Sequence, residues 1–328
     1  MPANDKNMSG DMAELDYHKF SHKAMATVFE IFIAQQEANY ARQATAEAFA
    51  LLDRVEQQIS RFVENSDITR LNTAPVNQEV LLRLDSFACL SKAMELRTIT
   101  QGAFDVTMGT LTAQQYHNAQ EDKPYGLSIS APSLRKKDAE LLTLDEDGLT
   151  ATRLVSDVQI DLGGIGKGFV LDRMAEVLKQ WGIDRALLHG GSSSVLALDG
   201  PAEGKAWPVT MSCPLERNKT IVHLPLANCA LGGSSQIDQK HIIDPRTGRL
   251  TFARVAAWSH SPDAATADGL STAFMLLSDH AIADLFWPHP GTAAPITFTD
   301  DGQQRPCKIE PIGNWPAPTP KVWCRCEA

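Results

Sequence analysis

The sequence predicts an α+β fold with mostly antiparallel pairing, and three observations carry that prediction. Apolar residues recur at helical spacing in several long segments, and short apolar runs are joined by tight glycine and proline turns. Helices and strands also interleave irregularly, whereas a doubly wound parallel sheet needs a regular βαβ alternation.

The elements follow in chain order. Val28 to Ala34 (VFEIFIA) forms a strand after a polar lead. From Ala41 to Ser60, the spacing of Phe49, Leu52, Val55 and Ile59 predicts a helix. A second helix is expected from Val80 to Thr100, with Leu84, Phe87, Leu90 and Met94 inward and Gly102 as its stop. A third begins near Lys167, buries Leu171, Met174, Ala175 and Leu178, and ends at Gly182. Ala186 to Leu188 and Val195 to Leu198 are strands separated by Gly190-Gly191-Ser192. Asp244-Pro245-Arg246-Thr247-Gly248 is a turn, because Pro245 presets φ and Gly248 is free to take positive φ. A last helix is expected over Asp268 to Leu277, and Asp300-Asp301-Gly302 closes a terminal hairpin.

Composition bounds the function. With 328 residues, 43% hydrophobic and 21% charged, the chain has material for a large core and is not disordered as a whole. Thirty basic against forty acidic residues leave a net charge of −10, which argues against nucleic acid as a partner. A phosphate-bearing ligand would then need a metal, helix N-termini or local Lys and Arg to offset its charge. No run approaches the roughly 18 apolar residues of a membrane span. Met1 to Asp16 contains Asp5, Lys6, Asp11 and Glu14 and lacks the apolar core of a signal peptide. The expectation is a disordered tail over 1–18, one domain over 19–328 and a cytoplasmic location. The six cysteines show no zinc-finger or CxxC spacing and are expected to be reduced thiols.

The segment Asp161-Leu-Gly-Gly-Ile-Gly-Lys-Gly168 is a glycine-rich loop opening a helix, where backbone N–H groups and the positive helix end can meet an anion. It is not a Walker loop, because Asp161 and Gly168 stand where Gly and Ser or Thr are required. It is not a dinucleotide fingerprint, because Phe169 occupies the last glycine position. Close helix–strand packing would use the same glycines. In Asp268-Gly-Leu-Ser-Thr272, a carboxylate and a hydroxyl fall at i and i+4 on one helical face, both hard oxygen donors of the kind Mg²⁺ prefers. The competing reading makes Asp268 a helix cap and returns the Thr272 hydroxyl to the backbone. His241 opens HIIDPRTG, where, taken alone, the residue reads as a hydrogen-bonded structural histidine rather than a base.

Order adds what the separate motifs lack. Met25-Ala-Thr27, Ser60-Arg-Phe62 with Ser66-Asp-Ile and Leu71-Asn72, Gly102-Ala-Phe-Asp105-Val-Thr107, DLGGIGKG, HIIDPRTG and Ala267-Asp268-Gly-Leu-Ser-Thr272 follow one another along the chain. In this succession it resembles the FAD:protein FMN transferases, the ApbE family, from about Lys23 to Ser278. Ala26 stands where the family usually has Gly, and Ser192-Ser193-Ser194 where it often has Asp or Asn.

The resemblance implies a single T-fold-like α+β domain and Mg²⁺-dependent transfer of FMN from FAD to a Thr or Ser hydroxyl of an acceptor flavoprotein, with release of AMP. It implies flavin contacts from Met25 and Phe62, nucleotide contacts from Ala103, Phe104 and Asp105, and FAD contacts from Asp161, Lys167 and Ile242. It further implies a metal held by the carbonyl of Gly164 with Asp268 and Thr272, and assistance to hydroxyl deprotonation from His241. Two other functions stay open at this point: FAD binding or storage without transfer, and a metal-dependent FAD pyrophosphatase yielding FMN and AMP.

Overall fold

In the computed structural model, residues 16–110, 140–214, 220–236, 242–251, 254–286, 296–299 and 308–312 are described. The chain opens with β1 (Tyr17–Ala24) and β2 (Thr27–Ala34), a hairpin in register from Tyr17↔Ala34 to Ala24↔Thr27. The first strand thus begins at Tyr17, inside the segment expected to be a tail. Met25 and Ala26 turn the chain with φ of 48° and 58°, the left-handed pair that matches hairpin twist.

Helix α1 (Ala38–Ile59) starts three residues before the expected position, because the Glu37 side chain caps it by accepting from the N–H groups of Asn39 and Tyr40. It buries Leu52, Val55 and Ile59, with Phe49 packed at the edge. A short helix that periodicity does not reveal, α2 (Asp67–Thr73), is capped by Ser66 accepting from Thr69 N–H.

The second expected helix is corrected at its start. Residues from Val80 first form β3 (Glu79–Leu81), and α3 (Leu84–Ile99) begins after it. Phe87 and Leu90 face inward with Ala93 and Leu96, whereas Leu84, at the first helical position, is 64% exposed. β4 (Leu142–Asp145) and β5 (Thr150–Arg153) complete a three-stranded sheet in the order β3-β5-β4.

Helix α4 (Gly166–Gln180) buries Leu171, Met174, Ala175 and Leu178, as its spacing predicts. β6 (Ala186–Gly190) and β7 (Ser194–Ala197) form the expected hairpin. A second hairpin, β8 (Trp207–Ser212) and β9 (Thr220–Leu226), is followed by β10 (Cys229–Ser235). β11 (Ile243–Asp244) and β12 (Arg249–Leu250) flank the expected Asp244–Gly248 turn.

After β13 (Ala256–Ser261) comes α5 (Ala264–Phe274), four residues ahead of the expected start. Its cap is Asp263, whose carboxylate accepts from Thr266 N–H, so Asp268 lies inside the helix and is not a cap. The chain continues through α6 (Asp279–Phe286) to the paired strands β14 (Ile296–Thr299) and β15 (Lys308–Pro311), the terminal hairpin. The turn expected at Asp300-Asp301-Gly302 lies outside the described residues.

Eight strands form one sheet in the order β1-β2-β6-β7-β10-β13-β14-β15, every neighbouring pair antiparallel. Both of its faces are covered. Phe29, Ile31 and Ile33 of β2 pack with the helices in the larger core, while Phe32 and Ala34 join Trp207, Val209, Met211, Leu224 and Leu226 of the β8–β9 hairpin in a second core. That is why VFEIFIA is apolar almost throughout and does not alternate. Cys89, Cys213 and Cys229 are buried. Among the described residues, no helix is long and apolar enough to cross a membrane.

Candidate functional site

The site forms around the N-terminus of α4, where α5 crosses closely enough to exclude a side chain. A Cβ on Gly168 would lie 2.8 Å from the Ala265 nitrogen and closer still to the Ala264 carbonyl. Only glycine admits this approach, so part of the glycine loop serves packing. The approach also brings Asp268 onto α4, where its Oδ2 accepts from Gly168 N–H at 2.8 Å. Its Oδ1 accepts from Ser194 Oγ at 2.6 Å.

The helix end is therefore partly committed within the protein. Gly166 N–H donates to Leu162 O at 2.8 Å, and Gly168 N–H is held by Asp268. Asp268 is only 5% exposed. Burial pushes its carboxyl above the ordinary carboxylate range, while the charge of Lys167 and the hydrogen bonds from Ser194 and Gly168 work in the opposite direction.

Thr272 lies one turn along α5, its Oγ1 3.5 Å from Asp268 O. A Cβ on Gly164 would sit 3.5 Å from Thr272 Oγ1 and 3.2 Å from Phe104 Cε2, so the glycine loop, the Ala103–Asp105 segment and α5 meet at Gly164. The oxygens that could hold a cation here are one carboxylate, one hydroxyl and the Gly164 carbonyl, all hard donors suited to Mg²⁺. A carboxylate has about four lone-pair sites, so two hydrogen bonds leave Asp268 able to ligate. Among the described residues, no group of three or more His, Cys, Asp or Glu is placed to hold a metal, so a cation here would depend on neutral oxygens beside Asp268.

Met25, Arg61 and Asp161 stand beside or within the glycine loop. A Cβ on Gly166 would approach Met25 Cε at 3.2 Å, and Met25 N–H donates to Glu56 Oε1 at 2.8 Å. Phe62 is 81% exposed, which excludes a core role, and Arg61 Cζ lies 4.8 Å from its ring centre. Arg61 Nε lies 3.4 Å from Asp161 Oδ2. Asp161 Oδ1 accepts from Gly163 N–H at 2.9 Å, and Asp161 N–H donates to Val106 O at 2.8 Å, tying the glycine loop to the segment after Asp105.

Ala103 and Phe104 are buried, and Asp105 is consumed locally: it accepts from Arg97 Nε at 2.8 Å, Thr107 Oγ1 at 2.7 Å and Thr107 N–H at 2.9 Å. It shapes its loop through these bonds. The Asp244–Gly248 turn leans on the same loop, because a Cβ on Gly102 would meet Arg246 Cγ at 3.8 Å. Arg246 itself is held by both oxygens of Asp244 and by Leu276 O. Ile242 packs partly buried against the larger core. His241 lies outside the described residues.

Two supporting residues carry no role in the sequence reading. Asn72 brackets the backbone of Ile160, just before Asp161, donating to Ile160 O at 2.9 Å and accepting from Ile160 N–H at 2.6 Å. Asp172 on α4 accepts from Ala264 and Ala265 N–H at 2.8 and 2.9 Å and so anchors the start of α5. Asn72 falls inside a quoted motif, whereas nothing local marks Asp172.

A model described as the ApbE family matches residues 25–295, a span that holds every residue of this site. The chain belongs to the ApbE family. Two relatives are named FAD:protein FMN transferase. The one from Haemophilus influenzae is 25% identical over 303 residues, covering 86% of this chain and 87% of its own. The one from Klebsiella pneumoniae is 26% identical over 271 residues, covering 78% and 77%. The fold agrees with that of the flavin transferase ApbE from Vibrio cholerae, at TM-score 0.72 and 22% identity over 91% of this chain and 97% of the other. It also agrees with the ApbE protein from Thermotoga maritima, at TM-score 0.74 and 22% identity over 90% and 97%. The α+β architecture with antiparallel sheets is thus the architecture of this ApbE-family chain.

Proposed function

We propose that this chain is a flavin transferase that moves the FMN half of FAD to a Thr or Ser hydroxyl of an acceptor flavoprotein, with Mg²⁺ at Gly164, Asp268 and Thr272. The observation that carries this reading is the convergence, at the α4 N-terminus of an ApbE-family chain, of a glycine loop with one buried carboxylate and a neighbouring hydroxyl. Relatives named FAD:protein FMN transferase support the same chemistry.

In the reaction, the acceptor oxygen forms a bond to the FMN-side phosphorus of FAD. The bond from that phosphorus to the AMP oxygen breaks, AMP leaves, and the hydroxyl proton passes to a base, a role assigned to His241. When bound, Mg²⁺ would offset charge on the pyrophosphate and its leaving group. The chain's own residues do the positioning. Met25 and the exposed Phe62 offer apolar surface to the isoalloxazine, and Ala103, Phe104 and Asp105 offer a rigid loop to the nucleotide. Asp161, Lys167 and Ile242 are assigned the remaining contacts to FAD.

The test is incubation with FAD, Mg²⁺ and a protein bearing a Thr-containing acceptor motif. In-gel flavin fluorescence on the acceptor, lost when its Thr is replaced, is the expected result. Free FMN with AMP and an unlabelled acceptor would replace transfer by hydrolysis, and intact FAD would reduce the protein to a flavin binder.

A further inference from the structure

The two side chains of α5 assigned to the metal are each gripped by a serine from the sheet beneath. β7 and β10 are neighbours, with Ser194 opposite Gly232. A Cβ on Gly232 would lie 2.7 Å from the Asp268 nitrogen and closer to the Ala267 carbonyl, so glycine lets α5 rest directly on β10. With the helix this low, strand hydroxyls reach its functional face. Ser194 Oγ donates to Asp268 Oδ1 at 2.6 Å, completing with Gly168 N–H a two-point clamp on the carboxylate. Ser234 Oγ lies 2.8 Å from Ser271 Oγ and 3.1 Å from Thr272 Oγ1.

Hydrogen directions follow from counting donors. Ser271 Oγ donates to Asp268 O at 2.8 Å, so toward Ser234 it can only accept. Ser234 then spends its single hydrogen on Ser271 and accepts from Thr272. In the ordering Thr272 → Ser234 → Ser271 → Asp268 O, Thr272 gives its one hydrogen to the nearer of its two acceptors, Ser234 Oγ at 3.1 Å rather than Asp268 O at 3.5 Å, and keeps its lone pairs for a cation.

We propose that Ser194 and Ser234 are positioning residues that orient Asp268 and Thr272 for the divalent ion, an inference that rests on the metal assignment under the proposed function. Groups that orient first ligands typically contribute about 10- to 100-fold in metal affinity. The departure at Ser192-Ser193-Ser194 thereby acquires a use at its third residue.

The test is Mn²⁺ binding to the full chain without FAD, read as the loss of the free-ion paramagnetic resonance signal. Wild type should show a site that Asp268→Ala removes. Ser194→Ala and Ser234→Ala should each weaken that site by about 10- to 100-fold, with metal-free FAD affinity unchanged. Ser194→Cys and Ser234→Cys, which keep the volume but replace the hydroxyl with a weak donor, should weaken it too and carry the test if an alanine variant does not fold. Ser234→Thr, which restores the hydroxyl, should bind like wild type. Wild-type affinity in the alanine or cysteine variants would overturn the positioning role alone. A wild-type site indifferent to Asp268→Ala would overturn the metal assignment and this inference with it.

Discussion

Gly168→Ala isolates the contact on which the site is built. In an unconstrained helix, Gly to Ala stabilises by about 1 kcal/mol. Here the added methyl would lie 2.8 Å from the Ala265 nitrogen and nearer the Ala264 carbonyl, against 3.4 Å for an ordinary contact. Helix α5 must therefore retreat by at least about 0.6 Å, the difference of those two distances, and the obstructing atoms are backbone that cannot rotate aside. Overpacking of this kind costs about 1–3 kcal/mol. The retreat also stretches the Gly168 N–H bond to Asp268, and leaving a buried group unsatisfied costs about 1–3 kcal/mol more. Set against the propensity gain, the net loss is about 3 kcal/mol, large beside the roughly 5–15 kcal/mol that holds a typical native fold. Guanidinium unfolding followed by circular dichroism should show a lower midpoint at unchanged slope, and Mn²⁺ binding should weaken in parallel. A variant as stable as wild type, or more stable, would refute the claim that α4 and α5 meet backbone to backbone at Gly168.

Ala26→Gly relieves a left-handed alanine at φ 58° in the β1–β2 turn and should stabilise the protein by about 1 kcal/mol in denaturant; no gain would mean that the turn carries no strain. Asp268→Ala should abolish transfer at any practical Mg²⁺ concentration, while Thr272→Ala should weaken the metal dependence less, because a neutral hydroxyl contributes less than a carboxylate; a fully active Asp268→Ala protein sinks both expectations. His241→Ala should keep FAD affinity and lower the transfer rate by about 10²–10⁴-fold, and wild-type turnover would demote the histidine. Burial, aided by the like charges of Asp263 and Asp268, raises the Asp172 carboxyl to about 7 against the bonds from Ala264 and Ala265 N–H. The folded state therefore holds a proton that the unfolded state releases near pH 4, so this group's contribution to stability is present at low pH and lost as pH rises through about 7. Urea midpoints from pH 5 to 8 should fall with this slope in wild type and flatten in Asp172→Asn.

Several elements depart from their expected bounds. The last helix starts before Asp268, its expected start, because Asp263 caps α5 and Asp172 anchors it from another helix. Leu84 fits the apolar spacing of α3 but stands at its first position, before the helix meets the core. β10 is not legible in the sequence, because CALGGSS has little alternation. Its Gly232 admits a helix backbone and its Ser234 grips that helix, so its composition answers a neighbour more than thirty residues away.

The sequence by itself determined what is written in contiguous residues: the helical faces of α1 and α4, the strands β2, β6 and β7, the turn at Asp244–Gly248, and the ordered motifs that mark the family. Periodicity and turn chemistry act over a few residues, so a single pass along the chain reads them. Only the tertiary structure decided between cap and candidate ligand for Asp268, between core and surface for Phe62, and between free and committed N–H groups at the α4 N-terminus. The choices at Asp268 and at the α4 N-terminus depend on which groups lie within about 3 Å of a hydrogen-bonding atom, and the choice at Phe62 on whether another element covers its ring. The partners are Gly168 with Asp268 and Ser194 with Asp268, separated by 100 and 74 residues along the chain. Folding brings them together, and no local pattern encodes their distance.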